Sequence, residues 1–116
     1  MALFIGRRIN QVCTVEKDGH PLSPRWSLSL RNHSPAGFNW GYSGSGPAQL
    51  ALALLLEETT VKEALHLYQP FKRAVVSRFE GDRWQATSEG FQTILAKLRE
   101  THPYREWEEE EVEDEA

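Results

Sequence analysis

Ala2 to Ile9 and Gln11 to Glu16 are rich in β-forming residues, and Asp18-Gly19 beyond them is a turn dipeptide, so two strands are expected at the start of the chain. Trp26, Leu28 and Leu30 alternate with Ser27, Ser29 and Arg31. That period of two is the mark of a half-buried strand and predicts a third. Residues 32 to 47 break the pattern with Asn32, Ser34, Pro35, Gly37, Gly41, Gly44, Gly46 and Pro47, which is loop chemistry throughout. A loop of this length in a compact domain is expected to anchor itself, here through Phe38, Trp40 and Tyr42 turned inward.

Helical signals follow. Pro47 suits a first helical position, because its φ is fixed and it has no N–H to leave unsatisfied; Ser45 or Gly46 is expected as the cap, with Gln49 reaching back. Ala48 to Leu56 is apolar on nearly every face, which predicts a helix buried on all sides. Thr60-Val61-Lys62-Glu63 reads as a capping box opening a second helix, with Leu65, Tyr68, Val75 and Phe79 at helical spacing. Pro70 removes a backbone donor and clashes with the carbonyl four residues earlier, so a kink or break is expected near Gln69. Gly81-Asp82 marks a turn, Trp84 to Thr87 a short strand, and Ser88 to Thr101 a last helix with Phe91, Ile94, Leu95 and Leu98 on one face. Strands followed by helices predict an α+β fold: a small antiparallel sheet of three or four strands packed on about three helices, with a buried central helix.

The 116 residues, 40% of them apolar, suffice for one hydrophobic core and not for two. A single domain is expected over residues 1–103, followed by an acidic and disordered tail over 104–116. Residues 106 to 116 carry eight acids and no base, leaving nine of the 17 acids and all 13 bases in residues 1 to 105. The longest apolar run, Leu50 to Leu56, is far short of the roughly 20 residues of a membrane span, so no membrane partner is expected. The N-terminal charges Arg7 and Arg8 follow a short apolar stretch, the reverse of a secretory signal. Cys13 stands alone, which precludes an internal disulfide and suits a cytoplasmic location.

Candidate chemistry centres on the glycine-rich turn. Gly41 and Gly46 have the spacing of a phosphate-cradling loop, but Pro47 and Ala48 stand where lysine and a hydroxyl residue are needed. Gln49 occupies the third-glycine position of a dinucleotide fingerprint, and Gly41-Tyr42-Ser43-Gly44-Ser45 does not complete a nucleophile elbow. What remains is an anion-receptive helix N-terminus, with the N–H groups of Ser45, Gly46 and Ala48 and the hydroxyls of Ser43 and Ser45. The competing reading is a tight turn whose glycines admit Trp40 and Tyr42, with Gly44 or Gly46 at positive φ. Arg31, His33, Asn39, Trp40, Tyr42, Ser43, Gly44, Ser45 and Gly46 are the binding candidates. His20, His33, His66 and His102 fall at no metal-ligand spacing, and no cofactor is expected. Lys72, Arg73 and Arg78 form a candidate basic surface for nucleic acid, mild in charge and without a recognised motif.

The string from His33 to Leu55, with Trp40-Gly41-Tyr42-Ser43-Gly44-Ser45-Gly46-Pro47-Ala48-Gln49-Leu50 at its centre, resembles the hallmark of DUF6166, a domain-of-unknown-function family of bacterial and phage proteins. Tyr68-Gln69-Pro70-Phe71-Lys72, Val75-Val76 and Trp84 are similar to its later half, so the resemblance spans residues 2 to 99. Ser43 departs from it, standing where the family tends to have glycine. The resemblance implies a protein frequent on phages and mobile elements and supplies no catalytic residue. The function expected is a non-enzymatic interaction module for a protein partner, with phosphate or nucleotide binding at the glycine turn, or weak nucleic-acid binding, as alternatives.

Overall fold

Two mirror-image turns organise the first strands. In the computed structural model, which describes residues 2–103, β1 (Leu3–Ile9) turns through Asn10 and Gln11, at φ 52° and 70°, into β2 (Val12–Lys17). Asp18 and Gly19, at φ 51° and 82°, turn β2 into the two-residue β3 (His20–Pro21). Positive φ at both central residues matches the right-handed twist of paired strands, which is why two residues suffice at each turn. β4 (Arg83–Thr87) joins the far side of β1, giving an antiparallel four-stranded sheet in the order β3-β2-β1-β4. Phe4 and Gly6 of β1, Val15 of β2 and Trp84 of β4 are buried on one face; Arg7, Thr14, Glu16, Arg83 and Gln85 point to the other. The acidic tail expected over 104–116 lies outside the described residues.

Helices cover the buried face. α2 (Ser45–Glu58) is the centre of the core, with every residue from Gly46 to Leu56 buried. α3 (Val61–Ala74) packs on it through Ala64, Leu67 and Phe71, and α4 (Ser88–Thr101) through Phe91, Leu95 and Leu98. The α+β class, the sheet and the buried central helix are as the sequence predicts.

Two expectations are corrected. The segment predicted as a third strand is α1, a helix over Arg25–Leu30 entered from Pro24, and the third strand is β3. Its first pair is inverted as well: Ser27 is buried while Trp26 is 49% exposed, although Leu28 and Leu30 are half-buried and Ser29 exposed. The short hydroxyls explain the outcome, because Ser27 Oγ donates to Pro24 O (3.0 Å) and Ser29 Oγ to Trp26 O (2.6 Å), bonds available only in a tight turn. α3 runs unbroken through Pro70 instead of dividing near Gln69. Pro70 and Phe71 are both buried, so packing against the neighbouring helices outweighs the single backbone donor that proline lacks. The helix ends at Ala74, and a 3-10 turn over Val76–Arg78 carries the chain to Phe79, which lies outside the helix.

Candidate functional site

The glycine-rich segment is held from β1. Arg8 Nη2 donates to Asn39 Oδ1 (2.6 Å) and Trp40 O (3.2 Å), while its Nη1 donates to Gly81 O (3.2 Å) and Asp82 Oδ1 (3.1 Å). Its guanidinium carbon lies 4.7 Å from the centre of the Trp40 ring, and the indole N–H of Trp40 donates to Gly81 O (2.9 Å). The hydrogen bond that Arg8 donates to Asp82 holds the Arg8 pKa above its ordinary value. Asn39 Oδ1 also accepts from Trp40 N–H (2.9 Å), and Gly41 N–H donates to Val76 O (3.1 Å). Asn39, Trp40 and Gly41 are thus clamped between β1, the 3-10 turn and the turn before β4. The sequence reading counted Arg8 only as one base among several; a single arginine bridging two loops leaves no local pattern to read.

Beside the clamp lies a cavity of about 280 Å³, walled by Val12 and Cys13 on the hairpin, Phe38 and Asn39 on the loop, and Tyr42 and Ser45 at the helix entrance. Phe38 and Trp40 turn inward as expected, but Tyr42 does not: it is 47% exposed at the cavity edge. Gly44 and Gly46 are not at positive φ. Gly44 is extended at φ −170°, and Gly46 is helical. The positive value belongs to Gly41, at 86°, whose added Cβ would also lie 3.0 Å from Phe79 O. Gly44 is the cap, with no side-chain cap bond, in place of Ser45 or Gly46. Ala48 N–H, expected to face an anion, donates to Gly44 O (3.0 Å) within the first turn. Pro47 has no N–H, so the helix entrance offers the amides of Ser45 and Gly46, and no lysine or arginine lines the cavity.

The other candidates lie apart from it. His33 Nε2 meets the Tyr68 hydroxyl (2.7 Å), and its backbone N–H donates to Gln49 Oε1 (2.8 Å), which also accepts from Ser34 N–H (3.1 Å). Burial, then the charges of Lys72 and Arg31, depress the His33 pKa. Gln49 is fully buried and donates to Ser27 Oγ (2.9 Å), so it ties α2 to α1 and to the following loop instead of capping its own helix. Arg31 donates to Leu30 O (2.8 Å), and Ser43 is exposed outside the cavity wall. The expected basic surface is divided: Lys72 lies toward His33, whereas Arg78 lines a separate groove against β4. Among the described residues no group of histidine, cysteine and acid side chains is placed to hold a metal, and no helix is long and apolar enough to cross a membrane.

A model of a family of unknown function, DUF6166, matches residues 4–97, which includes the sheet, the clamped loop, the cavity wall and nearly all of the helical layer. The chain belongs to DUF6166. No curated protein and no solved structure matches it. The residues matched include Arg8, the glycine turn and Asp82, so both ends of the clamp lie within the DUF6166 range.

Proposed function

We propose that this DUF6166 protein is an interaction module whose glycine-turn cavity receives one bulky apolar or aromatic side chain of a partner protein. The observation that supports this reading is the cavity itself. Ligand pockets for small molecules run from about 300 to 1,000 Å³, so 280 Å³ is small for a nucleotide and suited to a single anchoring side chain. A phosphate would meet no cation on its wall and two amides, since Arg8 is engaged with Asn39, Trp40 and Asp82. Two exposed side chains line it: Val12, 63% exposed, and Tyr42, a ring with a polar tip; Ile9, the ladder partner of Val12, adds a neighbouring exposed apolar side chain. Amphipathic aromatics beside a pocket are what protein interfaces enrich. The resemblance to a family frequent on phages and mobile elements supports an accessory role exerted on a protein of the host or of the same element.

The test is affinity capture from bacterial lysate with wild type, Tyr42→Ser and Val12→Asp, together with thermal melts in phosphate and nucleotides. A partner that is retained by wild type, and at least about 30-fold more weakly by either variant, supports the reading. Unchanged capture by both variants argues against it. So does a melting shift with nucleotide that disappears in Ser45→Ala, which would favour the ligand alternative.

A further inference from the structure

We propose that β4 is a docking edge that takes an extended, alternating apolar and acidic segment of a partner protein as a fifth strand. The two edges of the sheet differ. β3 is two residues long and ends in Pro21, which has no N–H, so that edge is blunted. β4 is five residues long, and no strand among the described residues pairs with its outer side.

The phase of the ladder identifies the free groups. Arg8 N–H donates to Asp82 O (2.7 Å) and Ser88 N–H to Ala2 O (2.9 Å), so the even-numbered residues of this stretch bond toward β1. Arg83, Gln85 and Thr87 therefore direct their N–H and C=O groups away from the sheet. Alongside them runs a groove of about 540 Å³, floored by Val75 and Phe79 on one side and Phe91 and Ile94 on the other. Alternate side chains of an added strand would lie over this apolar floor, and the intervening ones beside Arg83 on the open face.

Charge selects acids for those intervening positions. Arg83 stands opposite Arg7 in the ladder, where cross-strand side chains are close and like charges repel. Arg7 is paired with Glu16, whereas among the described residues the guanidinium of Arg83 meets Gln85 Oε1 (3.3 Å) and no carboxylate. A carboxylate on the incoming strand would give Arg83 the kind of partner that Arg7 has in Glu16, diagonal to it across β1 and β2.

This surface shares no lining residue with the glycine-turn cavity, so its test is independent of that reading. The probe is a fluorescent, end-blocked peptide of alternating valine and glutamate, compared with its valine–lysine counterpart and with two versions N-methylated on alternate amides, one for each peptide edge. The expected result is saturable binding of the acidic peptide, at least about tenfold weaker for the lysine peptide and for one of the two methylated versions. Amide exchange at Gln85 and Thr87 should slow on binding, and Arg83→Glu should reverse the charge preference. No saturable binding at millimolar peptide, equal affinity for both methylated versions, or no protection at Gln85 and Thr87 would overturn the proposal. Protection of those amides by self-association of the free protein would overturn it as well.

Discussion

At the scale of single residues, the glycines act by closeness more than by φ. The sequence announces that Gly44 and Gly46 are needed, but not why, because a run of glycines is equally compatible with positive φ and with tight approach. The decisive neighbours come from elsewhere: a Cβ on Gly46 would lie 2.6 Å from Asn39 Cβ and 3.3 Å from Asn39 N, in a loop clamped by Arg8. On Gly44 the same atom would meet only the exposed ring of Tyr42 (2.6 Å), which can swing aside. Gly6 is the most confined, since its Cβ would lie 2.1 Å from Trp84 Nε1, an indole stacked on Phe79 at 4.2 Å and edge-on to Trp40 at 5.9 Å. That Trp84 N–H is buried without an acceptor, so the ring is placed there by packing rather than by a hydrogen bond. Alanine at these sites should therefore rank Gly6 above Gly46 above Gly44. Overpacking costs about 1–3 kcal/mol; Gly6→Ala should reach or pass the top of that range and Gly44→Ala fall below it. Urea unfolding of the three variants checks the order, and a Gly44→Ala variant as unstable as Gly6→Ala would contradict it.

Among the elements, what was legible depended on whether a pattern reported its own burial. Strands β1, β2 and β4 and helix α4 emerge from periodicity and turn residues because each buries one face. The continuous apolar run of α2 announces a helix buried on every side. α1 was misread because Trp-Ser-Leu-Ser-Leu fits a strand by alternation, while the hydroxyls and a partner 22 residues away in sequence decide for a helix. That partner is Gln49, whose amide serves two backbone N–H groups and Ser27 Oγ, and which therefore joins three segments that otherwise touch weakly. Gln49→Leu keeps much of the volume and removes all three bonds. A buried or half-buried polar group left without its partner costs about 1–3 kcal/mol, so the variant should lose about 2–5 kcal/mol by urea unfolding. In a Ser27→Ala background the loss should be smaller, because one of the stranded groups is already gone. Equal losses in both backgrounds would mean that the amide does not join α1 to α2.

At the scale of the molecule, four ion pairs tie separate parts of the described chain together. Arg7 meets Glu16, Arg8 meets Asp82, Lys17 Nζ reaches Glu57 from β2 to α2 (3.0 Å), and Arg99 joins α4 to α3 by donating to both carboxylate oxygens of Glu63 (3.0 and 2.6 Å). The sequence count of bases could not anticipate this, since pairing depends on which elements become neighbours. Two of the groups give stability a defined pH dependence. His33 is held below its ordinary pKa of about 6.5 by burial and by Lys72 and Arg31, and Glu63 below about 4.5 by Arg99 and then Thr59. In each case the unfolded chain binds the proton more tightly than the folded one. Acid therefore favours unfolding: the contribution of His33 is complete above pH about 6.5 and that of Glu63 above about 4.5, and each is lost as the pH falls through the folded-state value. Urea unfolding from pH 8 to pH 3 should show two declines, the upper one flattened by His33→Gln and the lower one by Glu63→Gln. The eight acids of residues 106 to 116 titrate in the lower range, so the series is also run on a chain ending at Arg105. An upper decline that survives His33→Gln, or a lower one that vanishes on truncation but not in Glu63→Gln, would assign the pH dependence to other groups.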